Sequence, residues 1–355
     1  WRLPKAFDSG VRLHLPDGFR FGRFYLFPAV VWLPFKARCL DWVRRALVAC
    51  GLTPARRRPS CVSVPAHRPW ASPPSSFELA LVQSFANRHR PDAVIANYAW
   101  LCPIFDVPAL QGLRTICIAH DVGWKRAALS STPDMTRADE AGWVQRPRLV
   151  VAISEADAIE LRSLAPATGV LVAPKAIEPR DPLAETGSRS LLFVGSDNAF
   201  NAEGLDWFLR EVWPQVVHTV PGITLDVCGS INRVVAARPP GVTFHGVVPC
   251  LAERYRAAAL VIVPLRRATG LNIKLVEAAT YGRALVTTPA TLVGAPFLRE
   301  SVAVAESPAE FSATVARLLA TSAVRASLAA RALEAVRLHL TPAACYGPLV
   351  AALRS

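Results

Sequence analysis

The chain has 355 residues, of which 52% are hydrophobic, a formal net charge of +13 at pH 7 and eight cysteines. That apolar fraction excludes a largely disordered chain, and the length is enough for two α/β domains, each burying its own core. The charge is mostly arginine, with lysine only at Lys5, Lys36, Lys125, Lys175 and Lys274; a GC-rich genome produces this bias, and the basic surface suits nucleic acid, an anionic membrane face or a phosphorylated substrate.

Residues 1–58 are basic and aromatic. Their apolar run at 24–35 is too short to span a bilayer. It reads either as a core segment or as an amphipathic element dipping into a membrane face, the second favoured by the flanking Arg20, Arg23, Lys36, Arg38, Arg44 and Arg45. The spacing of Leu40, Val43 and Leu47 predicts a helix over 36–51 that stops at Gly51. Arg56, Arg57 and Arg58 read as a solvated turn, 62–64 as a short strand, and 65–76 as a loop rich in proline and serine. A helix over 77–89 and a buried strand over 92–98 follow. Strands at 115–119, 149–153 and 170–173, with a helix at 155–164 capped by Ser154, continue the alternation and predict a parallel sheet.

A polar, turn-rich stretch at 181–189 reads as a domain linker. Beyond it, 190–196 is a strand, and Asn201 opens a helix expected to end at Trp213 and Pro214. Strands at 224–229 and 242–246 lead to residues 259–288, which read as strand, loop, helix, strand. Here 260–263 is an apolar, partly β-branched run of the kind buried on both faces. Asn272 or Thr269 caps the helix, Gly282 sits where a glycine ends one, and 285–288 returns as a parallel strand. Ligands of such units bind at the strands' carboxyl ends, beside the helix N-terminus. That end carries Arg266, Arg267, Thr269 and Gly270, and the helix carries Lys274 and Glu277. Free amides, a glycine and cations suit a phosphate, and a carboxylate two turns down suits sugar hydroxyls. Helices over 311–319 and 323–339 and a last one ending at Leu353 complete the chain.

The cysteines are scattered, several of them inside strand runs, as at Cys117 and Cys228. None forms C-x-x-C or a zinc spacing, so a reducing cytoplasm fits best. No signal peptide and no run of eighteen uncharged apolar residues is present. A nicotinamide-dependent oxidoreductase would carry G-x-G-x-x-G after its first strand, which Gly195-Ser196-Asp197-Asn198 does not supply. The arginines are too dispersed for a nucleic-acid face.

From residue 190 onward the chain resembles the donor domain of glycosyltransferase family 4, the group 1 retaining enzymes of GT-B fold. The resemblance rests on an ordered set: Phe193-Val194-Gly195-Ser196, then Trp207-Phe208-Leu209 and Val212-Trp213-Pro214, then Asp226-Val227-Cys228-Gly229, Val242 to Val248, and Pro264 through Glu277 to Thr288. His120-Asp121, Ala152 to Ala156 and Ala173 to Ile177 resemble strand ends of the acceptor domain more loosely. Nothing before Pro65 shows the strand and glycine-rich loop with which such enzymes open, so that segment is either missing or divergent.

The resemblance implies an α/β protein of two Rossmann-like domains facing across a cleft. Residues 1–183 would form the acceptor side, 190–340 the nucleotide-sugar donor side, and 341–355 a final helix packing back on the first domain. It implies a bacterial, cytoplasmic enzyme of polysaccharide biosynthesis that transfers a sugar, with retention, from a nucleoside-diphosphate sugar to a hydroxyl. The acceptor would be a glycan, a lipid-linked molecule or a small molecule; a nucleotide-sugar-binding protein without turnover is the alternative. The sugar nucleotide is a co-substrate, and no cofactor, metal or nucleic-acid partner is expected. Peripheral contact with an anionic membrane is expected from the basic start. Glu277 matches the glutamate that binds ribose hydroxyls, and Thr269 stands where that pattern's first glutamate falls. Gly270, Leu271 and Asn272 offer amides, Lys274 (favoured), Arg266 or Arg267 neutralises the leaving diphosphate, and Gly195, Ser196 and Val248 line the nucleotide. The loop after Gly195 lacks the cations the family often carries there. His120 faces the donor sugar, and Asp121 is a candidate catalytic carboxylate.

Overall fold

The computed structural model describes residues 19–21, 24–26, 73–128, 135–178, 180–181 and 187–354. The expected helix at 36–51, the short strand at 62–64, most of the run at 24–35 and part of the linker at 181–189 lie outside these residues. Two compact units are formed, Trp1–Arg90 and Pro91–Ser355. In the first, β1 (Phe19–Phe21) pairs antiparallel with β2 (Phe24–Leu26). Helix α1 (Ser76–His89) opens on a capping box between Ser75 and Glu78, which satisfies amides the first turn leaves free.

The second unit holds two parallel sheets. In the smaller, β3 (Ala93–Asn97), β4 (Arg114–Ala119), β5 (Leu149–Ala152) and β6 (Gly169–Val172) lie in chain order. The link from β3 to β4 is a 3-10 stretch, Ala99–Asp106, that buries Trp100, Cys102 and Phe105. Between β4 and β5 run α2 (Gly123–Ala128) and α3 (Arg137–Val144), and α4 (Glu155–Leu164) follows β5. Ser154 caps α4 as expected, accepting from the Asp157 amide at 3.1 Å.

The larger sheet contains β7 (Ser190–Val194), β8 (Thr224–Cys228), β9 (Val242–Gly246), β10 (Leu260–Val263), β11 (Leu285–Thr287) and β12 (Ala303–Val304). Their spatial order is β12-β11-β10-β7-β8-β9, so the chain winds one way from β7 and the other way from β10. Leu191 and Phe193 of β7 and Leu260 and Ile262 of β10 enter one core; Leu192, Val261 and Val263 enter another on the opposite face. The period of two thus buries both faces, which is why these strands read as unbroken apolar runs.

One expected boundary is corrected. Asn198, not Asn201, caps α5 (Ala199–Trp207), and the helix does not end at Pro214. It passes through a π-helical turn, Phe208–Val212, into α6 (Trp213–Thr219), with Pro214 in that helix's first turn. Proline cannot donate to the turn before it, and the widened turn absorbs the lost bond. Trp213 stays buried and its indole donates to the Pro240 carbonyl at 3.1 Å, which anchors the continuation.

Helices α9 (Pro308–Ala320), α10 (Ser322–His339) and α11 (Pro342–Arg354) close the chain; among the described residues α7 (Leu251–Ala257) and α8 (Ile273–Thr280) complete the helix set. Helix α11 returns to the smaller sheet, where Leu349 and Leu353 pack on Ile116, Val151 and Ala173. The Ala176 amide donates to the Tyr346 hydroxyl at 3.0 Å and the Ile177 amide to the Leu340 carbonyl at 2.8 Å. Among the described residues no helix is long and apolar enough to cross a membrane.

Candidate functional site

The reversal of strand order between β7 and β10 leaves a crevice at their carboxyl ends, where loops leave in opposite directions. The loop from β10 runs through Arg266 to Asn272 and enters α8. Asn272 is the cap, its Oδ1 accepting from the Leu275 amide at 3.3 Å, and Thr269 is not. Gly270 takes φ +60°, a left-handed conformation that glycine adopts without strain. Gly294, beyond β11, lies so close that a Cβ on it would overlap the Gly270 carbonyl. The loop is therefore held by backbone against backbone. Gly270, Leu271 and Asn272 are buried, yet among the described residues their amides meet no hydrogen-bond acceptor. Amides at a helix N-terminus have no partner within the helix, so these three are open to an acceptor from outside it.

The loop from β7 is fixed in a similar way. The Gly195 amide donates to the Cys228 carbonyl at 2.9 Å, and a Cβ on Gly229 would overlap the Gly195 carbonyl. Buried Asn201 donates to the Ser196 carbonyl at 2.8 Å, leaving Ser196 itself exposed. This loop has no cation of its own, but the chain brings one from β8: Arg233 pairs with Asp197 at 3.6 Å. Asp197 is fixed by Ser230, whose hydroxyl donates to it at 2.9 Å. Val248, after β9, is half-buried against the core on the α8 side of the sheet.

The cations near α8 divide. Arg267 is committed to an ion pair with Glu203 and lies 5.7 Å from the Phe200 ring centroid. Arg266 is exposed, 5.8 Å from the Trp207 ring centroid. Lys274 is half-buried and makes no ion pair among the described residues; burial pulls its pKa below the ordinary lysine value, against the opposing pull of Glu277. Glu277, half-buried one turn on, accepts from the Tyr255 hydroxyl at 3.2 Å.

The smaller sheet meets this loop at the end of β4. The Thr269 hydroxyl donates to Asp121 Oδ1 at 3.4 Å, and Gly270 sits against Asp121, the His120 carbonyl and Ile153. Asp121 also pairs with Arg126 at 3.0 Å. Burial raises its pKa, and Arg126, His120 and Thr269 oppose that rise. His120 Nε2 lies 2.6 Å from Asn97 Oδ1, and its ring lies against Tyr98 at 4.5 Å between centroids. Tyr98 takes φ +101°, which a tyrosine seldom adopts.

Glu140 belongs to the same surroundings but carries no sequence signal. It is fully buried on α3 and accepts from the amides of Gly123 and Trp124 at 2.9 and 2.8 Å, so it closes the N-terminus of α2 directly behind Asp121. Burial raises its pKa, the two amides oppose this, and the charges of Asp121 and Asp157 reinforce it. No motif marks such a carboxylate, because the amides it serves lie sixteen and seventeen residues earlier.

Thr269, Gly270, His120 and Asp121 therefore meet at one place. Leu271, Asn272, Lys274 and Glu277 extend from it along α8, Gly195 and Ser196 stand on the neighbouring strand end, Val248 lies after β9, and Arg267 is drawn away to Glu203.

His120 supplies a test of this surface. Burial lowers its pKa, Lys175 adds to the lowering, and Asp121 works against it. Its folded value thus lies below the ordinary 6.5, so between the two the unfolded chain binds more protons. The stability that neutral His120 contributes is complete above pH 6.5 and is lost as the pH falls through the folded value. NMR titration should place its midpoint below 6.5, and Asp121→Asn should move it lower still. A midpoint at or above 6.5, or an upward move in the variant, would contradict the assigned surroundings.

Residues 188–321 match the family model described as Glycosyl transferases group 1. No curated protein matches the chain in sequence. Among solved structures it is similar to S. aureus TarM, at TM-score 0.66 and 12% identity over 78% of this chain and 58% of TarM. It is similar to sucrose-phosphate synthase from Thermosynechococcus elongatus, at TM-score 0.62 and 13% identity over 78% of this chain and 76% of that one. Anabaena HepE in complex with UDP gives TM-score 0.63 and 15% identity over 78% and 82% of the respective chains. The chain thus spans under two thirds of the length of TarM. The fold is GT-B, and residues 188–321 carry the sequence pattern of the group 1 glycosyl transferases.

Proposed function

We propose that the protein is a glycosyltransferase that moves a sugar from a nucleoside-diphosphate sugar to a hydroxyl acceptor. The observation that carries this reading is the run of backbone amides at Gly270, Leu271 and Asn272 that meet no acceptor among the described residues, with Glu277 on the helix they open, at the switch point of the larger sheet. A diphosphate there would accept from those amides and gain from the partial positive charge of the helix end. Glu277 would accept from the ribose hydroxyls. Lys274 would balance the leaving diphosphate, and the incoming charge would in turn favour its protonated form. Arg267, paired with Glu203, is the weaker choice for that role, and Arg233 is a second cation near the β7 loop.

Structures of HepE contain UDP-glucose, and one of TarM contains UDP and α-GlcNAc-glycerol. Those names favour a uridine nucleotide and a glycan or glycan-like acceptor here. In the proposed reaction the acceptor oxygen bonds to the anomeric carbon on the face from which the diphosphate leaves. The bond from that carbon to the diphosphate oxygen breaks, and the departing phosphate oxygen takes the acceptor proton, so configuration is retained. His120 would hydrogen-bond the sugar. Asp121, held by Arg126 and Thr269, would position the loop and would not act as nucleophile. No metal is required in this scheme, and turnover that survives chelation would accord with it. A cytoplasmic place in bacterial polysaccharide synthesis fits the same reading. Peripheral membrane contact rests on the basic start of the chain, and failure to sediment with anionic vesicles at low salt would remove it.

A thermal-shift series with UDP, GDP and ADP tests the donor site. A ligand at a hundred times its Kd stabilises by about 2.7 kcal/mol, so at least one nucleotide should raise the midpoint by several degrees. Glu277→Ala should cut that shift sharply. No shift with any nucleotide would sink the assignment. Binding without transfer or hydrolysis of a sugar nucleotide would support the alternative, a binding protein without turnover.

A further inference from the structure

Tyr255 lies on α7 and is fully buried, yet its hydroxyl reaches out of the core to donate to Glu277 Oε2 at 3.2 Å. Several groups fix it there. Its ring stacks on Tyr281 with centroids 4.3 Å apart and planes 14° from parallel. Buried Arg283 donates to the Tyr255 carbonyl at 2.8 Å and to the Arg256 carbonyl at 3.1 Å, which pins the end of α7 to the turn after α8. The Arg180 guanidinium lies 4.5 Å from the Tyr281 ring centroid. A half-buried glutamate on a helix has several rotamers open to it, and here one oxygen is tied to a group that cannot move.

We propose that Tyr255 is a positioning residue for the donor nucleotide: its hydroxyl holds one oxygen of Glu277 and leaves the other directed to the ribose. This rests on the reading of Glu277 as the ribose ligand. Burial, reinforced by the charge of Glu277, pushes the Tyr255 hydroxyl above its ordinary range, so it is a protonated donor at neutral pH. Removing the hydroxyl frees the carboxylate to rotate and leaves the stacked rings in place.

The test compares a nucleoside diphosphate with its 2′-deoxy form by calorimetry, using UDP or whichever of GDP and ADP the thermal series selects. Wild type should prefer the ribonucleotide by about tenfold, the worth of one hydrogen bond to a charged group. Tyr255→Phe should shrink that preference to about two- to threefold while binding of the deoxynucleotide stays unchanged. In a Glu277→Ala background Tyr255→Phe should have no further effect on the ratio, since the two act as one unit. A merely structural tyrosine would weaken both nucleotides alike, and that result overturns the proposal. So does an unchanged preference in Tyr255→Phe, or a variant that no longer folds. Binding by wild type with no ribose preference is a different failure: it removes Glu277 from the ribose, and the role of Tyr255 falls with it.

Discussion

Strands β7 and β10 are joined by no direct connection, yet they lie side by side through the pairs Leu260 with Leu191 and Val261 with Leu192. Each strand is buried on both faces, so the pairing is held by apolar side chains from two cores as well as by its ladder. The consequence is geometric. One chain direction leads from β7 to β8 and β9, the other from β10 to β11 and β12, and no crossover covers the carboxyl ends where they part. The loop after β7 and the loop that leads from β10 into α8 open on that gap.

Within the gap the backbone is fixed by contacts that tolerate no side chain. Gly229 closes on the Gly195 carbonyl and Gly294 on the Gly270 carbonyl. These are two loops from different strands, and each is set by a glycine from the loop beside it. The amides of Gly270 to Asn272 are thereby presented by packing, with the entropy of ordering them already lost on folding. The smaller sheet then adds His120 and Asp121 through the Thr269 hydroxyl. Asp121 is in turn backed by α2, whose N-terminus is satisfied by buried Glu140. Glu140, α2, Asp121 and Thr269 thus form a continuous series of contacts from α3 to the loop after β10.

Much of this was legible in the residues, for physical reasons. Runs such as Leu191 to Phe193 and Leu260 to Val263 signal buried parallel strands, because both faces must be apolar. Asn272 before a helical pattern and Gly282 after it mark the ends of α8, because caps and left-handed turns select those residues. What could not be read depends on pairing over distance. The Arg267 link to Glu203 joins the loop after β10 to helix α5, 64 residues earlier, and nothing local distinguishes Arg267 from any other loop arginine. The arrival of Arg233 beside Asp197 depends on the β7–β8 neighbourhood, which only the sheet order reveals. Pro214 reads as a stop because proline breaks regular helices. A π-helical turn with Trp213 anchored in the core let the helix continue.

On the proposed reading the carboxyl ends of β7 and β10 bind a nucleoside diphosphate, with phosphates on the α8 amides and ribose on Glu277. A crystal structure of the full chain with UDP tests it most directly. Phosphate oxygens should lie within hydrogen-bonding distance of the Gly270 to Asn272 amides, and both ribose hydroxyls should face the Glu277 carboxylate. Nucleotide bound elsewhere, or bound here with its ribose turned away from Glu277, would contradict it.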